Sequence, residues 1–458
     1  MEQNTLTEKA KDIRDVIQYI QKFNNSSIVI YIDDRLIESP VFKSHIKDIK
    51  TIHDAGIKVS IIPGARKRIN EVLLKSNISW TFKNGNRITS EESIPLIKMA
   101  AFDVCNKVMT ALAGEKISAV IGNWVRARSK GVIDGFDYGT NGEIDKLDFD
   151  SIKTVLDNKF IPIYPCIGWS ITGKPYNISS MELAKQIAIY TKADKLFYLI
   201  PDAKITPKNF IVPQEIPHSE ENTIPALNLK EVQILIDSNK PSVIEENTEK
   251  ITTEHSENLC KNQIIDLLNT SKEACTSGVS RIHILDGSEA GTLLCEIFSN
   301  LGSGTMIYSN SYDNIRQMEI SDISSVLDIM SPYIENGTLL PRNENSLKEH
   351  LKEYFVYEID ESIKGCASLI KYSDNQFEIA AVAVAEKYGH MGIGPKIVKY
   401  LIDIAKKQNA KDIFILTTKT SDWFENLGFE QISIDSIPNE RKKIWSPTRN
   451  SKVLKLKF

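Results

Sequence analysis

Apolar positions fall into short continuous runs alternating with longer runs of helical spacing. Ile28-Val29-Ile30-Tyr31-Ile32 is one continuous run, the pattern of a strand buried on both faces of a parallel sheet. Phe42 to Ala55 is apolar at helical spacing and is stopped by Gly56. Lys58 to Ile62 is the next strand, and Pro63-Gly64-Ala65-Arg66 the turn at its end. This is a βαβ rhythm. It continues through a helix over Glu91 to Leu112, strands at Ala119 to Gly122 and Phe160 to Pro165, a helix over Ser180 to Thr191 and a strand at Lys195 to Ile200. Ser179 or Ser180 caps that last helix. Residues 134–148 alternate as a hairpin insertion. Residues 5–22 read as an amphipathic helix, with Ile13, Ile17 and Ile20 recurring near helical spacing.

The rhythm then loosens. Residues 212–254, with Pro213, Pro217, Pro225 and Pro241, read as loops around a helix. Asn258 to Thr276 is helical, Arg281 to Leu285 is a strand closing the first domain, and Ser288 to Phe298 is a helix. A linker follows around Ser299 to Ser311. The second domain begins near Ile315 with a helix over Ser321 to Ser331. Three antiparallel strands come next, Leu351 to Glu358, Gly365 to Lys371 and Phe377 to Val384. The last elements are a helix over Lys396 to Lys407, a strand at Asp412 to Leu416, a short helix at Ser421 to Leu427 and a strand at Ser451 to Lys457. The expected fold class is α/β, with domains at 1–305 and 306–458.

Composition narrows the function. The 458 residues are 41 % hydrophobic and 25 % charged, with a formal net charge of -4. Such a balance disfavours a duplex nucleic-acid binder. The basic clusters Arg66-Lys67-Arg68 and Arg441-Lys442-Lys443 read as solvated surface. The six cysteines include no CxxC pair, so neither a disulfide framework nor a metal site is expected. No run approaches the ~20 apolar residues of a membrane span, and the first residues are not those of a signal peptide. A cytoplasmic location is expected.

The candidate chemistry lies in Val384-Ala385-Glu386-Lys387-Tyr388-Gly389-His390-Met391-Gly392-Ile393-Gly394. A strand, a glycine-bearing turn and a helix start place backbone N–H groups where phosphate oxygens can sit. The segment resembles the acetyl-CoA loop of GNAT-type N-acetyltransferases, Arg/Gln-x-x-Gly-x-Gly/Ala. Gly392 and Gly394 match its glycines. Gly389 stands where that family has Arg or Gln, which removes one phosphate-facing side chain. The resemblance implies acetyl-CoA as co-substrate, held by Val382, Val384, Gly389, Gly392, Ile393 and Gly394.

A longer resemblance follows from Leu416-Thr417-Thr418-Lys419-Thr420, Trp423-Phe424-Glu425-x-x-Gly428-Phe429, Ile434-Asp435-x-Ile437-Pro438 and Arg449-Asn450-Ser451-Lys452-Val453-Leu454. These resemble the C-terminal domain of the N-acetylglutamate synthase family. The resemblance implies acetyl transfer to the α-amine of L-glutamate, the first step of arginine biosynthesis. It implies Glu378 as general base and Thr417 as hydrogen-bond partner of the departing thiolate. It further implies Arg316 and Arg449 as clamps for the substrate carboxylates, with Ser451 beside them. Trp445 stands where other members carry a tyrosine.

Residues 12–310 resemble the amino acid kinase fold, an αβα sandwich. The resemblance rests on Tyr19-Ile20-Gln21-Lys22-Phe23, Pro63-Gly64-Ala65-Arg66, Arg281 to Gly287 and Gly302-x-Gly304-Thr305. Kinases of that family read Val-Ile-Lys-x-Gly-Gly at the first strand, whereas this chain reads Val29-Ile30-Tyr31-Ile32-Asp33-Asp34. Two carboxylates repel a polyphosphate and their β-carbons block its approach, so phosphoryl transfer is not expected. The resemblance instead implies an L-arginine site using Tyr19, Lys195, Gly278 and Gly287. It also implies a homo-oligomer, with helix 5–22 resembling the arm that interlaces dimers into hexamers. Two alternatives stay open: a GNAT enzyme for a different amine, and an arginine-sensing regulatory protein with a decayed transferase half. No nucleic-acid, membrane or metal partner is expected.

Overall fold

The computed structural model describes residues 25–83, 85–213, 223–239, 253–298, 303–309, 313–359, 362–373, 375–445 and 451–458, together with Ile17, Phe23, Ile216 and Arg449. The chain divides into two compact units, Met1–Ser309 and Asn310–Phe458.

The first unit is built on an eight-stranded sheet. Its strand order is Ala226–Asn228, Thr305–Tyr308, Arg281–Asp286, Lys195–Ile200, Ser27–Ile32, Lys58–Pro63, Ile161–Ile163 and Ala119–Ile121. The pairings are parallel except that between Arg281–Asp286 and Thr305–Tyr308. The central strands are the continuous apolar runs, buried on both faces because helices cover both. Ser179 caps helix Ser180–Tyr190 by accepting from the Glu182 N–H. Asn228 and Glu231 form a reciprocal capping box on helix Leu229–Ser238. The expected insertion is a small sheet in which Gly142–Leu147 pairs with Val125–Ser129, flanked by the hairpin Val132–Ile133/Phe136–Asp137.

Two elements of this unit differ from expectation. The segment expected to be a linker, Ser299 to Ser311, contains strand Thr305–Tyr308, so Arg281–Asp286 is not the last strand of its sheet. The helix expected from Glu91 starts at Ile94, with a proline in its first turn. Helix 5–22, apart from Ile17, lies outside the described residues, as do 214–215, 217–222 and 240–252 of the segment expected to be loops around a helix.

The second unit is a seven-stranded sheet in the order Asp313–Gln317, Tyr354–Ile359, Ser362–Lys371, Gln376–Val384, Asp412–Thr417, Lys452–Lys457, Glu430–Ile432. The opening strand, Asp313–Gln317, precedes the helix expected to start the domain. Helix Ile393–Lys407 begins three residues before its expected start. Gly392 is left-handed (φ 65°) and lets the chain enter the helix directly. Pro395 fits the first turn, where no intrahelical donor is needed.

Strand Gln376–Val384 carries a β-bulge. Its register against Ser362–Lys371 shifts between Cys366↔Ala383 and Ser368↔Ala380, so Ala381 and Val382 together oppose Ala367. Ala381 is left-handed at φ 54°. The bulge reverses the alternation of side chains. Phe377 and Ile379 pack in the cluster of helix Ile393–Lys407, whereas Ala381 and Ala383 join the cluster of helix Ile323–Glu335.

Candidate active site

The bulged strand and its neighbour part company. Gln376–Val384 pairs in parallel with Asp412–Thr417 at Gln376↔Asp412, Phe377↔Ile413 and Glu378↔Phe414, and no further. On its other edge it stays paired up to Val384. Asp412–Thr417 meanwhile remains paired with Lys452–Lys457 through Thr417. The two strands therefore form a fork whose vertex is Glu378. Along residues 379–384 no strand among the described residues takes up the fork-side backbone groups, and a polar chain can take the place of a partner strand. Val382 and Val384 lie on this stretch. The Tyr333 hydroxyl donates to the Val384 carbonyl at 2.7 Å.

The glycine loop follows as a 3-10 turn, Glu386–Met391, and Gly392 leads into helix Ile393–Lys407. The Lys396 N–H donates to the Gly392 carbonyl, and Pro395 has no N–H. The N–H groups of Ile393 and Gly394 are thus the first-turn donors left for an external acceptor. A β-carbon at Gly394 would stand 3.1 Å from the Trp423 ring, whereas one at Gly389 would meet nothing within 4 Å. The donors, the left-handed glycine and the close-packed Gly394 fit a phosphate-bearing ligand.

Glu378 is buried, with 2 % exposure. Its Oε2 accepts from the Tyr372 hydroxyl at 2.8 Å and from Arg441 Nε at 2.7 Å. Burial, and then the Glu378 charge, push the Tyr372 phenol well above its ordinary range, so it stays a neutral donor. Arg441 corrects the surface reading of Arg441-Lys442-Lys443: its side chain is 14 % exposed. It sits on helix Asn439–Lys443, part of a strap over this face of the sheet. Lys455 Nζ anchors the strap by donating to the Ser436 carbonyl at 2.7 Å and to Asp412 Oδ2 at 3.1 Å. Gln376 donates to the other Asp412 oxygen at 2.8 Å. Nothing in the sequence flags Tyr372 or Arg441. They reach Glu378 from a hairpin and from a helix 63 residues away.

Thr417 ends its strand, with Oγ1 2.7 Å from Thr420 Oγ1 and accepting from the Thr420 N–H. Lys452 pairs across from it, which puts Ser451 and Arg449 at the open end of the fork. Arg449 donates to the carbonyls of Gly337 at 3.2 Å and Thr338 at 2.6 Å. Trp445 Nε1 is buried with no hydrogen-bond partner among the described residues. Arg316 is placed differently. The register Arg316↔Val356, Val356↔Cys366, Cys366↔Ala383 puts it three strands from the fork, roughly 14 Å at the usual strand spacing. Its guanidinium is paired with Asp322 at 2.7 and 2.9 Å and with Glu358 at 2.6 Å. The hydrogen bonds to Asp322 and Glu358 raise its pKa.

In the first unit the kinase-like strand end is filled. Tyr31 is buried against Tyr198, ring centroids 5.7 Å apart. A β-carbon at Gly64 would stand 2.9 Å from the Tyr31 hydroxyl. Asp33 caps the short helix Asp34–Ile37 and pairs with Arg35 at 2.7 Å. Burial, reinforced by Asp33, lifts the Asp34 carboxyl to about 6.

At the opposite strand ends lies a polar cluster. Lys195 is 5 % exposed, not a solvated lysine, and its ammonium lies 4.9 Å from the Phe23 ring. Two strand positions on, His283 pairs in register with Phe197, and their rings stack at 4.7 Å. His283 Nδ1 is 2.5 Å from Glu296 Oε1, while its buried Nε2 has no hydrogen-bond partner among the described residues. Burial lowers the His283 pKa despite Glu296. For Glu296 burial acts upward but is outweighed by His283 and the N–H groups of Ser303 and Gly304, which hold it below the usual range. Neither residue stands out from the sequence as a site residue, although His283 belongs to the Arg281 to Gly287 motif. Gly278 lies in the turn before Arg281, at the Lys195 end. Gly287 does not. It follows Asp286, which pairs with Ile200, so it is six rows from Lys195, roughly 20 Å along the strands. Its carbonyl is 2.7 Å from His45 Nε2. Tyr19 lies outside the described residues. No helix among the described residues is long and apolar enough to cross a membrane.

Known proteins show the same two-part organisation. Residues 26–286 match the amino acid kinase family and residues 321–429 the acetyltransferase (GNAT) family. The amino-acid acetyltransferase of Actinobacillus pleuropneumoniae is 31 % identical over 458 residues, covering 99 % of both chains. That of Vibrio cholerae is 29 % identical over 464 residues, again covering 99 % of both. Among solved structures, N-acetylglutamate synthase from Neisseria gonorrhoeae, complexed with coenzyme A and L-arginine, is 28 % identical and superimposes with a TM-score of 0.75. The alignment covers 98 % of this chain and 99 % of that one. The same enzyme with coenzyme A and N-acetyl-glutamate gives a TM-score of 0.59 at the same coverage.

Proposed function

This chain belongs to the amino-acid acetyltransferase family, an amino acid kinase unit followed by a GNAT N-acetyltransferase unit with acetyl-CoA as co-substrate, and from that premise we propose that it acetylates the α-amine of L-glutamate, yielding N-acetyl-L-glutamate and CoA as the first step of arginine biosynthesis. The observation that carries the reading is the strand fork with Glu378 at its vertex and the Gly392–Gly394 helix start at its open end.

Acetyl-CoA supplies an activated acetyl thioester. Ile393 and Gly394 donate to its pyrophosphate, and the open strand edge at Val382 and Val384 takes the amides of its arm. Gly389 contributes backbone alone. Glu378 accepts a proton from the substrate ammonium, freeing the lone pair that attacks the acetyl carbon. Fork-side N–H groups stabilise the charge that develops on the carbonyl oxygen. Thr417 hydrogen-bonds the sulfur as the C–S bond breaks. Arg449 and Ser451, at the open end, receive a substrate carboxylate. Arg316 can join them only by releasing Asp322 and Glu358. That occupied guanidinium favours one second reading, an acceptor amine other than glutamate.

The first unit serves as an L-arginine site and an oligomerisation module. The Neisseria enzyme of the comparison is complexed with L-arginine. Lys195, His283 and Glu296 supply a cation, a ring nitrogen without a partner among the described residues and a carboxylate close together, suited to a ligand bearing both charges. Arginine bound there inhibits acetyl transfer, and the homo-oligomer is a hexamer.

The test is CoA release from acetyl-CoA with a panel of amino acids, with and without L-arginine. Glutamate should be the turned-over acceptor and arginine should slow it. No glutamate turnover at saturating acetyl-CoA would overturn the reading, and preferred turnover of another amine would establish the second one. ATP with N-acetylglutamate should give no ADP.

A further inference from the structure

We infer that Tyr372 is a positioning residue for acetyl transfer: its hydroxyl fixes one oxygen of Glu378 so that the other oxygen takes the substrate proton. The inference rests on the reading of Glu378 as general base.

The carboxylate is divided. Both of its hydrogen bonds among the described residues, from Tyr372 and Arg441, converge on Oε2. Oε1 receives none among the described residues and is not fully enclosed. A carboxylate with one oxygen held twice and the other bare presents a single basic atom in a single orientation.

Tyr372 is held for this task by the protein alone. It stands on the hairpin between Ser362–Lys371 and Gln376–Val384, and its N–H donates to the Gln376 carbonyl at 2.9 Å. Its ring packs on Phe414 at 5.7 Å, and Phe414 is the strand partner of Glu378. The phenol is therefore steadied against the strand neighbour of the base it serves. Arg441 comes from the strap instead, so two independent elements grip Oε2.

The proton balance is simple. An N–H bond of the ammonium breaks and an O–H bond forms at Oε1. The nitrogen lone pair attacks the acetyl carbon, the C–S electron pair leaves with sulfur, and the second N–H proton that amide formation releases passes to that sulfur, giving the CoA thiol. Meanwhile Tyr372 and Arg441 keep their protons and their hold on Oε2. Donors to a carboxylate favour its charged form, and loss of the Tyr372 hydroxyl removes one of the two donors on Oε2. The other charged groups around the pair are Glu353, which acts on Tyr372, and the Asp412–Lys455 ion pair two residues back along the strands.

The experiment compares full-length wild type with Tyr372→Phe and Glu378→Gln, measuring kcat, the KM for acetyl-CoA and the pH profile of kcat/KM. Tyr372→Phe should lower kcat about ten-fold, less than the roughly 10²–10⁴-fold that loss of the base itself would cost. It should leave the KM for acetyl-CoA unchanged and move the acidic limb to higher pH. An unmoved limb overturns the inference even if kcat falls, because lost packing alone would lower kcat. 3-Fluorotyrosine placed at 372, a stronger donor that keeps the ring, should move the limb to lower pH. It carries the test if the Phe variant does not fold. If Glu378→Gln keeps full turnover, the base assignment itself is wrong. If Glu378→Gln is inactive while Tyr372→Phe matches wild type in kcat and limb, only the role of Tyr372 falls.

Discussion

Gly394 lies under Trp423, so close that a β-carbon at 394 would stand 3.1 Å from the indole Cζ2. Gly389, five residues earlier, borders open space. The two glycines of one loop should respond in opposite ways. Gly394→Val should raise the KM for acetyl-CoA at least ten-fold, because Trp423 or the helix start must shift. Gly389→Arg should lower it, by giving the phosphates a cation in a space already present. Steady-state kinetics at varied acetyl-CoA decide, and a weaker KM for Gly389→Arg would refute the idea that the loop lacks a side-chain contact.

Arg449 bridges the final hairpin to the carbonyls of Gly337 and Thr338. Arg449→Ala should raise the KM for glutamate well above the KM change for acetyl-CoA, with a small drop in melting temperature from the two lost contacts. Arg449→Lys should restore stability better than affinity, since a lysine lacks the planar fork. Equal shifts in both KM values would remove Arg449 from the substrate clamp.

His283 and Glu296 form a buried pair beside Lys195, with His283 Nε2 left without a partner among the described residues. His283→Asn should raise the arginine concentration needed for half-maximal effect at least ten-fold, read as CoA release against arginine. Direct binding of arginine by calorimetry should weaken in parallel. Undiminished binding would move the effector elsewhere.

Asp48 is a buried carboxyl on helix Phe42–Asp54, and its Oδ2 has no partner among the described residues. Burial raises its pKa from 3.8 to about 6. The folded state therefore binds more protons than the unfolded state between those values. Stability falls as pH rises through that window, and the loss is complete above about 6. At about 1.4 kcal/mol per pKa unit the effect reaches roughly 3 kcal/mol. Asp48→Asn should be more stable than wild type at pH 7.5, with the difference shrinking toward pH 5. Urea unfolding at several pH values measures this, and a pH-independent difference would contradict it.

The sequence is most legible where local chemistry repeats. The apolar runs mark the central strands of the first unit, and the glycine spacing marks the turn before helix Ile393–Lys407. It is silent where contacts are made at long range. Tyr372 and Arg441 meet Glu378 only because a hairpin and a strap fold over the same face, so Arg441 looks like one more surface cation. The His283–Glu296 pair depends on a strand and a helix closing on each other, and no spacing encodes that. The strand at Thr305–Tyr308 escapes notice because four residues between loops carry little periodicity. Arg316 shows the converse, since a match by motif says nothing of the two carboxylates that hold its guanidinium.

The parting of Gln376–Val384 from Asp412–Thr417 also works as a width gauge. At Glu378 the two backbones are one hydrogen-bonded spacing apart, about 4.8 Å, and the gap widens from there toward Thr417 and Val384. Whatever group lies nearest the vertex must be slim, and bulk is admitted only toward the mouth. The width near the vertex is thus set by the number of rungs the strands share, three. Replacing one residue cannot widen such a gauge. A change in register or one further rung would reset it.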